Sequence, residues 1–184
     1  FDDIDDFDKN GFAKVKLNKK LNLIDANGKV ISKLWFDDID DFDKNGFAKV
    51  KLNKKLNLID ANGKVISKLW FDDIDDFDKN GFAKVKLNDK CNLIDTNGNF
   101  ISHQWFDLID IFTNGFARVK LNNKCNFIDV NGNLLSQQWF DKIYNFDENG
   151  IAIVKLNDKW NLIDVNGKLV YQQWFDWIYG FTNG

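Results

Sequence analysis

Asp6, Asp8 and Asn10, with Gly11 directly behind them, spell the opening of a calcium loop. Such a loop sets oxygen ligands at alternate positions and then turns sharply at a glycine. The pattern returns as Asp41, Asp43 and Asn45 before Gly46, and as Asp76, Asp78 and Asn80 before Gly81. A loop begun at Asp6 must close twelve residues on with a bidentate acid, but that place is Leu17, and the ninth is the cation Lys14. The equivalent stretch Ile111–Gly115 has lost both carboxylates, whereas Asn145, Asp147 and Asn149 keep oxygen donors. Ligands that vanish from one copy while Phe and Gly persist belong first to a turn. A turn is therefore expected, with calcium as the rival.

The other reactive side chains read in the same way. Lys14 and Lys16, Lys49 and Lys51, Lys84 and Lys86, and Arg118 and Lys120 share one face if the copies stack in register. That stripe suits a polyanion, but Asp2, Asp3, Asp5 and Asp6 and their counterparts are nearer partners. Exposed pairs of this kind are worth about 0–1 kcal/mol each and mainly guide register. Trp35, Trp70, Trp105, Trp139 and Trp174 recur once per copy, each followed by Phe. One ring at a fixed slot is expected to pack between units, with sugar stacking as the rival. Trp177 and Tyr179 replace aspartates near the end and are the candidates for an exposed contact surface.

Cys91 and Cys125 fill one apolar slot in consecutive copies and read as small buried hydrophobes. A disulfide between them requires copies stacked at strand spacing. With His103 they form no recognisable zinc pattern. No nucleophile–base signature is present. A carboxylate pair for glycoside hydrolysis needs two different environments, and identical repeats offer the same one over and over. No catalytic residue, no enzyme activity and no cofactor beyond a calcium ion are expected.

The composition sets the outer limits. Of 184 residues 44% are hydrophobic and 15% aromatic, enough for a core despite 29% charged residues. A net charge of −3 argues against a nucleic-acid binder. No apolar run approaches the roughly 18 residues of a membrane span. There is no methionine and the first residue is Phe1, so the chain reads as a piece of a longer or processed protein. With no proline, turns fall to Asn-Gly, at Asn27-Gly28, Asn62-Gly63, Asn97-Gly98, Asn131-Gly132 and Asn166-Gly167.

The elements that must position all of this are repeated units. Residues 1–35 recur unchanged as 36–70; 71–105 drift after Asn88; 106–139 are one residue shorter; 140–174 follow, with a partial unit at 175–184. The chain reads as one array. In GFAKVKLN, Ala13, Val15 and Leu17 alternate with Phe12, Lys14 and Lys16, the pattern of a half-buried strand. Asn18-Lys19 is expected to make a hairpin turn into a strand over 21–24. The Asn-Gly turn leads to a third strand over 29–32. Trp35, Phe36, Ile39 and Phe42 read as a crossover with a short extended piece. Three strands bury a face only against neighbours, so the units must stack.

Lys159-Trp160-Asn161-Leu162-Ile163-Asp164 with Gly167, and Phe140-Asp141, Phe146 and Gly150–Val154, resemble the WG repeat family of bacterial β-repeats. The resemblance covers all five units. It implies an all-β array, often within large multi-repeat proteins, and no known catalytic activity. Two slots depart from the family. The tryptophan slot holds Leu21, Leu56, Cys91, Cys125 and Trp160, and the glycine slot holds Asn22, Asn57, Asn92, Asn126 and Asn161. Asparagine tolerates left-handed φ, so a bulge is expected there.

The sequence therefore points to an all-β tandem array, an open solenoid or superhelix of stacked three-stranded units, with a five-bladed propeller as the alternative. The expected role is a non-enzymatic structural or protein-interaction scaffold, with fibre formation in view. Its partners are expected to be proteins or further copies of the chain. The second class is a bacterial cell-surface or extracellular adhesin that holds glycans on its aromatics or uses calcium in its turns.

Overall fold

In the computed structural model, which describes residues 1–178, Asn18 and Lys19 both adopt left-handed φ, 50° and 65°. They close a two-residue hairpin between β2 (Ala13–Leu17) and β3 (Lys20–Ile24). Positive φ at both central residues matches the twist of the flanking strands, and asparagine accepts it more readily than most residues. β1 (Asp3–Ile4) pairs antiparallel with β2, so the sheet runs β1-β2-β3.

The same sheet forms five times. The second comprises β4 (Asp38–Ile39), β5 (Phe47–Leu52) and β6 (Lys55–Asp60). The third comprises β7 (Asp73–Ile74), β8 (Phe82–Leu87) and β9 (Lys90–Asp95). The fourth has β10 (Leu108–Ile109), β11 (Phe116–Leu121) and β12 (Lys124–Asp129). The fifth has β13 (Lys142–Ile143), β14 (Ile151–Leu156) and β15 (Lys159–Asp164). Among the described residues there is no helix, and so none long and apolar enough to cross a membrane.

Lysine at the second hairpin position is the weak point of the turn. Lys54 sits at φ 66°, where a Cβ is disfavoured and glycine is not. Lys54→Gly is expected to raise stability by about 0.5–1 kcal/mol. A lower urea midpoint for this variant would show that the turn is not strained.

Two expectations need correction. The strand over 29–32 is a single bridge, Ile24 with Val30, and the third strand of each sheet is the short piece at its start. The reason lies in the second correction. Asn22 forms no bulge; it stays in register opposite Val15, and its φ is not left-handed. Its side chain is fully buried instead. In the identical second repeat, Asn57 Nδ2 donates to the carbonyls of Ser67 and Leu69, both at 2.9 Å. Its Oδ1 accepts from the Leu58 and Ser67 amides at 2.9 and 3.3 Å. A side-chain amide thus takes the place of a strand partner and bends the chain away after the bridge. Asn126 and Asn161 hold Ser136 and Gln138, and Tyr171 and Gln173, in the same way.

Successive repeats share rungs and cores. Phe36 opens repeat two, but it exchanges two backbone hydrogen bonds of 2.9 Å with Leu21 of repeat one. Leu23 of repeat one packs with Phe36, Ile39, Phe42, Val50 and Ile59 of repeat two. Phe127 of repeat four packs likewise with Phe140, Ile143, Phe146 and Val154 of repeat five. One face of the second sheet is thus covered by the first repeat, and one face of the fifth by the fourth. The chain divides into two compact units, residues 1–89 with 93–100, and residues 90–92 with 101 onward.

Candidate functional site

The DKNG carboxylates work inside their own turn. Asp8 Oδ1 accepts from the Asn10 and Phe12 amides at 2.8 and 2.9 Å, and Gly11, at φ 82°, donates to the Asp8 carbonyl at 3.0 Å. Asp43 and Asp78 do the same for Asn45 and Phe47, and for Asn80 and Phe82. This is an Asx turn. The remaining aspartates are placed differently. Asp41 pairs with Lys14 of the preceding repeat at 2.8 Å and Asp76 with Lys49 at 3.7 Å, while Asp6 is exposed. Among the described residues no three His, Cys, Asp or Glu side chains gather as a metal set. Repeat four replaces the Asx turn with a tighter one, in which Thr113 and Phe116 pair across Asn114-Gly115.

The basic stripe is divided by function. Lys14 and Lys49 cross to the next repeat, as just described. Lys16 and Lys51 stand opposite Asp3 and Asp38 in the strand register. Trp35, Trp70, Trp105, Trp139 and Trp174 are half-buried. Trp35 packs beside Ala13, Val15 and Ile24, and Trp70 against the core that contains Phe36. The fully enclosed ring is the phenylalanine that follows: Phe36, Phe71, Phe106 and Phe140. Trp177 is exposed, and Tyr179 lies outside the described residues. Cys91 and Cys125 are half-buried and not bridged. Burial pushes the Cys125 thiol up.

Sequence reasoning missed a clamp made of the Lys and Phe-Asp signatures. Asp37 accepts Lys20 of the preceding repeat on Oδ1, and on Oδ2 it accepts the Asn53 amide of its own hairpin turn at 2.6 Å. Asp72 joins Lys55 and Asn88, Asp107 joins Lys90 and Asn122, and Asp141 joins Lys124 and Asn157. One carboxylate thereby ties a turn to the previous sheet. The available signal was the persistence of Lys and Phe-Asp seventeen residues apart in every copy.

The lysine beside each of Asp37, Asp72, Asp107 and Asp141, and then the turn amide, hold the carboxyl below its usual value. A carboxyl depressed in the folded state contributes stability above its unfolded pKa, near 3.9, and loses it as pH falls through the folded value. The melting temperature is thus expected to be level from about pH 5 to 8 and to fall below about pH 4. Stability unchanged down to pH 2 would remove the clamp from this account.

These repeats match the WG containing repeat over residues 1–20, 23–55, 58–91, 93–125 and 127–160. The chain belongs to the WG containing repeat family. In this WG array asparagine does buried work in the slot where the motif spells glycine. No curated protein matches the chain. Among solved structures it is similar to Kluyveromyces lactis Hsv2p, at 15% identity and a TM-score of 0.38, over 91% of this chain and 62% of that one. It is similar to a eukaryotic initiation factor at 11% identity and a TM-score of 0.45, over 88% and 50%. It is similar also to the V. cholerae biofilm matrix protein Bap1 at 14% identity and a TM-score of 0.34, over 91% and 37%. The WG array spans less than two thirds of each of these chains.

Proposed function

We propose that the chain is a non-enzymatic scaffold, a modular array that holds protein partners or further copies of itself at fixed spacing. The observation that carries this reading is the joint between repeats. The same Asp–Lys clamp, the same phenylalanine rung and the same buried asparagine recur from one repeat to the next. Such an array adds length by repeating one joint, which suits multivalent or structural use. Catalysis by carboxylates relies on groups in unlike environments. The clamp aspartates instead have like partners at every step, which supports a role without chemistry.

Self-association is supported by the same joint. Phe71, Ile74 and Phe77 are at most 4% exposed beneath the preceding repeat, and a face of that design, to which Ile4 belongs in the first repeat, takes a repeat from either chain. Mass photometry with negative-stain microscopy tests this. Linear assemblies of regular rise, dispersed by Ile4→Asp, are the expected result. Discrete monomers at every concentration would overturn self-association.

A further inference from the structure

One side of the fifth sheet breaks the pattern of the first three. The short first strand places an aspartate opposite a lysine in repeats one to three: Asp3 with Lys16, Asp38 with Lys51, Asp73 with Lys86. In repeat five the same register sets Lys142 opposite Lys155. Like charges directly opposite are unfavourable, and Lys142 has no ion pair among the described residues.

Three rings gather beside Lys155, which stands opposite Lys142 in the strand register. Tyr144 stands where the earlier repeats have Asp5, Asp40, Asp75 and Asp110, and Trp177 stands where they have Asp38 or Asp73. Trp160 replaces Leu21, Leu56, Cys91 and Cys125. The Tyr144 and Trp177 rings lie 6.2 and 5.6 Å from Trp160, centroid to centroid. Lys155 Nζ lies 5.4 Å over the Trp160 ring and pairs with Asp158 at 2.8 Å. Tyr144 and Trp177 are about half exposed or more, at 49% and 60%. Asp38 and Asp40, the counterparts in repeat two, are exposed with a repeat on either side. Stacking therefore leaves these positions open to a ligand.

Ring faces accept the C–H faces of a pyranose, and two lysines opposite one another in the strand register accept an anion. We propose that Lys142, Tyr144, Lys155, Trp160 and Trp177 form a binding surface for acidic oligosaccharides, with sugar faces on the rings and carboxylates on the lysines. The assignment does not rest on the self-association reading.

The test titrates the full chain with oligogalacturonate, using calorimetry and tryptophan fluorescence. A neutral malto-oligosaccharide and a single-stranded oligothymidylate serve as comparators. Saturable binding of oligogalacturonate is expected, weaker by about tenfold when salt is raised from low to physiological strength. Lys142→Asp and Trp160→Leu install the residues that other repeats use, so both should fold with an unchanged or higher melting temperature. Each is expected to weaken binding by about tenfold or more. The proposal is overturned by an absence of saturable binding, by equal binding of the neutral sugar, by tighter binding of the oligonucleotide, or by unchanged affinity in both variants.

Discussion

Gly63→Ala is expected to cost about 3–5 kcal/mol of stability, whereas Gly28→Ala costs about 1–2. The two glycines occupy the same place in two repeats of identical sequence, with φ of 74° and 78°. Local strain is therefore the same for both, the cost of a Cβ in the left-handed region. The surroundings differ. A Cβ on Gly28 meets nothing within 4 Å, while one on Gly63 would lie 2.3 Å from the carbonyl oxygen of Ile31 in the preceding repeat. Backbone cannot rotate aside as a side chain can, so the whole repeat must shift. Gly98, Gly132 and Gly167 make the same approach to Ile66, Ile101 and Leu135. Chemical denaturation of the two variants measures the difference. Equal losses would mean that this close approach does not hold the repeats together.

Asn57→Ala is expected to cost about 2–4 kcal/mol, and Asn57→Asp more. The side chain is fully buried and makes four hydrogen bonds, two as donor and two as acceptor. Alanine leaves the Ser67 and Leu69 carbonyls without the amide donor and opens a void. Aspartate keeps the shape, but it turns a donor into a fully buried anion facing two carbonyl oxygens. Among the described residues no buried side-chain polar atom lacks a partner, so nothing nearby stands ready to compensate. A loss below about 0.5 kcal/mol in the alanine variant, the range of an ordinary surface change, would show that the amide is incidental.

Much of the architecture was legible in the residues. The alternation in Ala13–Leu17, the Asn18-Lys19 turn and the apolar run after it all became strands and hairpin as read. These features are local: a period of two, and a backbone angle that few residue types accept. The asparagine in the glycine slot was misread because tolerance of left-handed φ is only one of its properties. Burial selected the other, a side chain that both donates and accepts. The tryptophans attracted attention by size, yet the enclosed ring beside four of them is the smaller phenylalanine, Phe36, Phe71, Phe106 or Phe140, because that residue carries the shared rung. The ring cluster of repeat five was partly visible in Trp177. Its partners Tyr144 and Trp160 lie sixteen residues apart, and only strand pairing brings them together.

By itself the sequence determined the repeat, the two strands of its hairpin, its turns and its family, because each rests on spacing and on conformational preferences within a few residues. Tertiary structure decided what each position does. Phe1 and Phe36 have the same neighbours on their C-terminal side through a full repeat, yet one is 57% exposed and the other 0%. The difference is the preceding sheet. Burial, like the clash that awaits a Cβ at Gly63, is a property of what packs against a residue, and identical letters cannot record it.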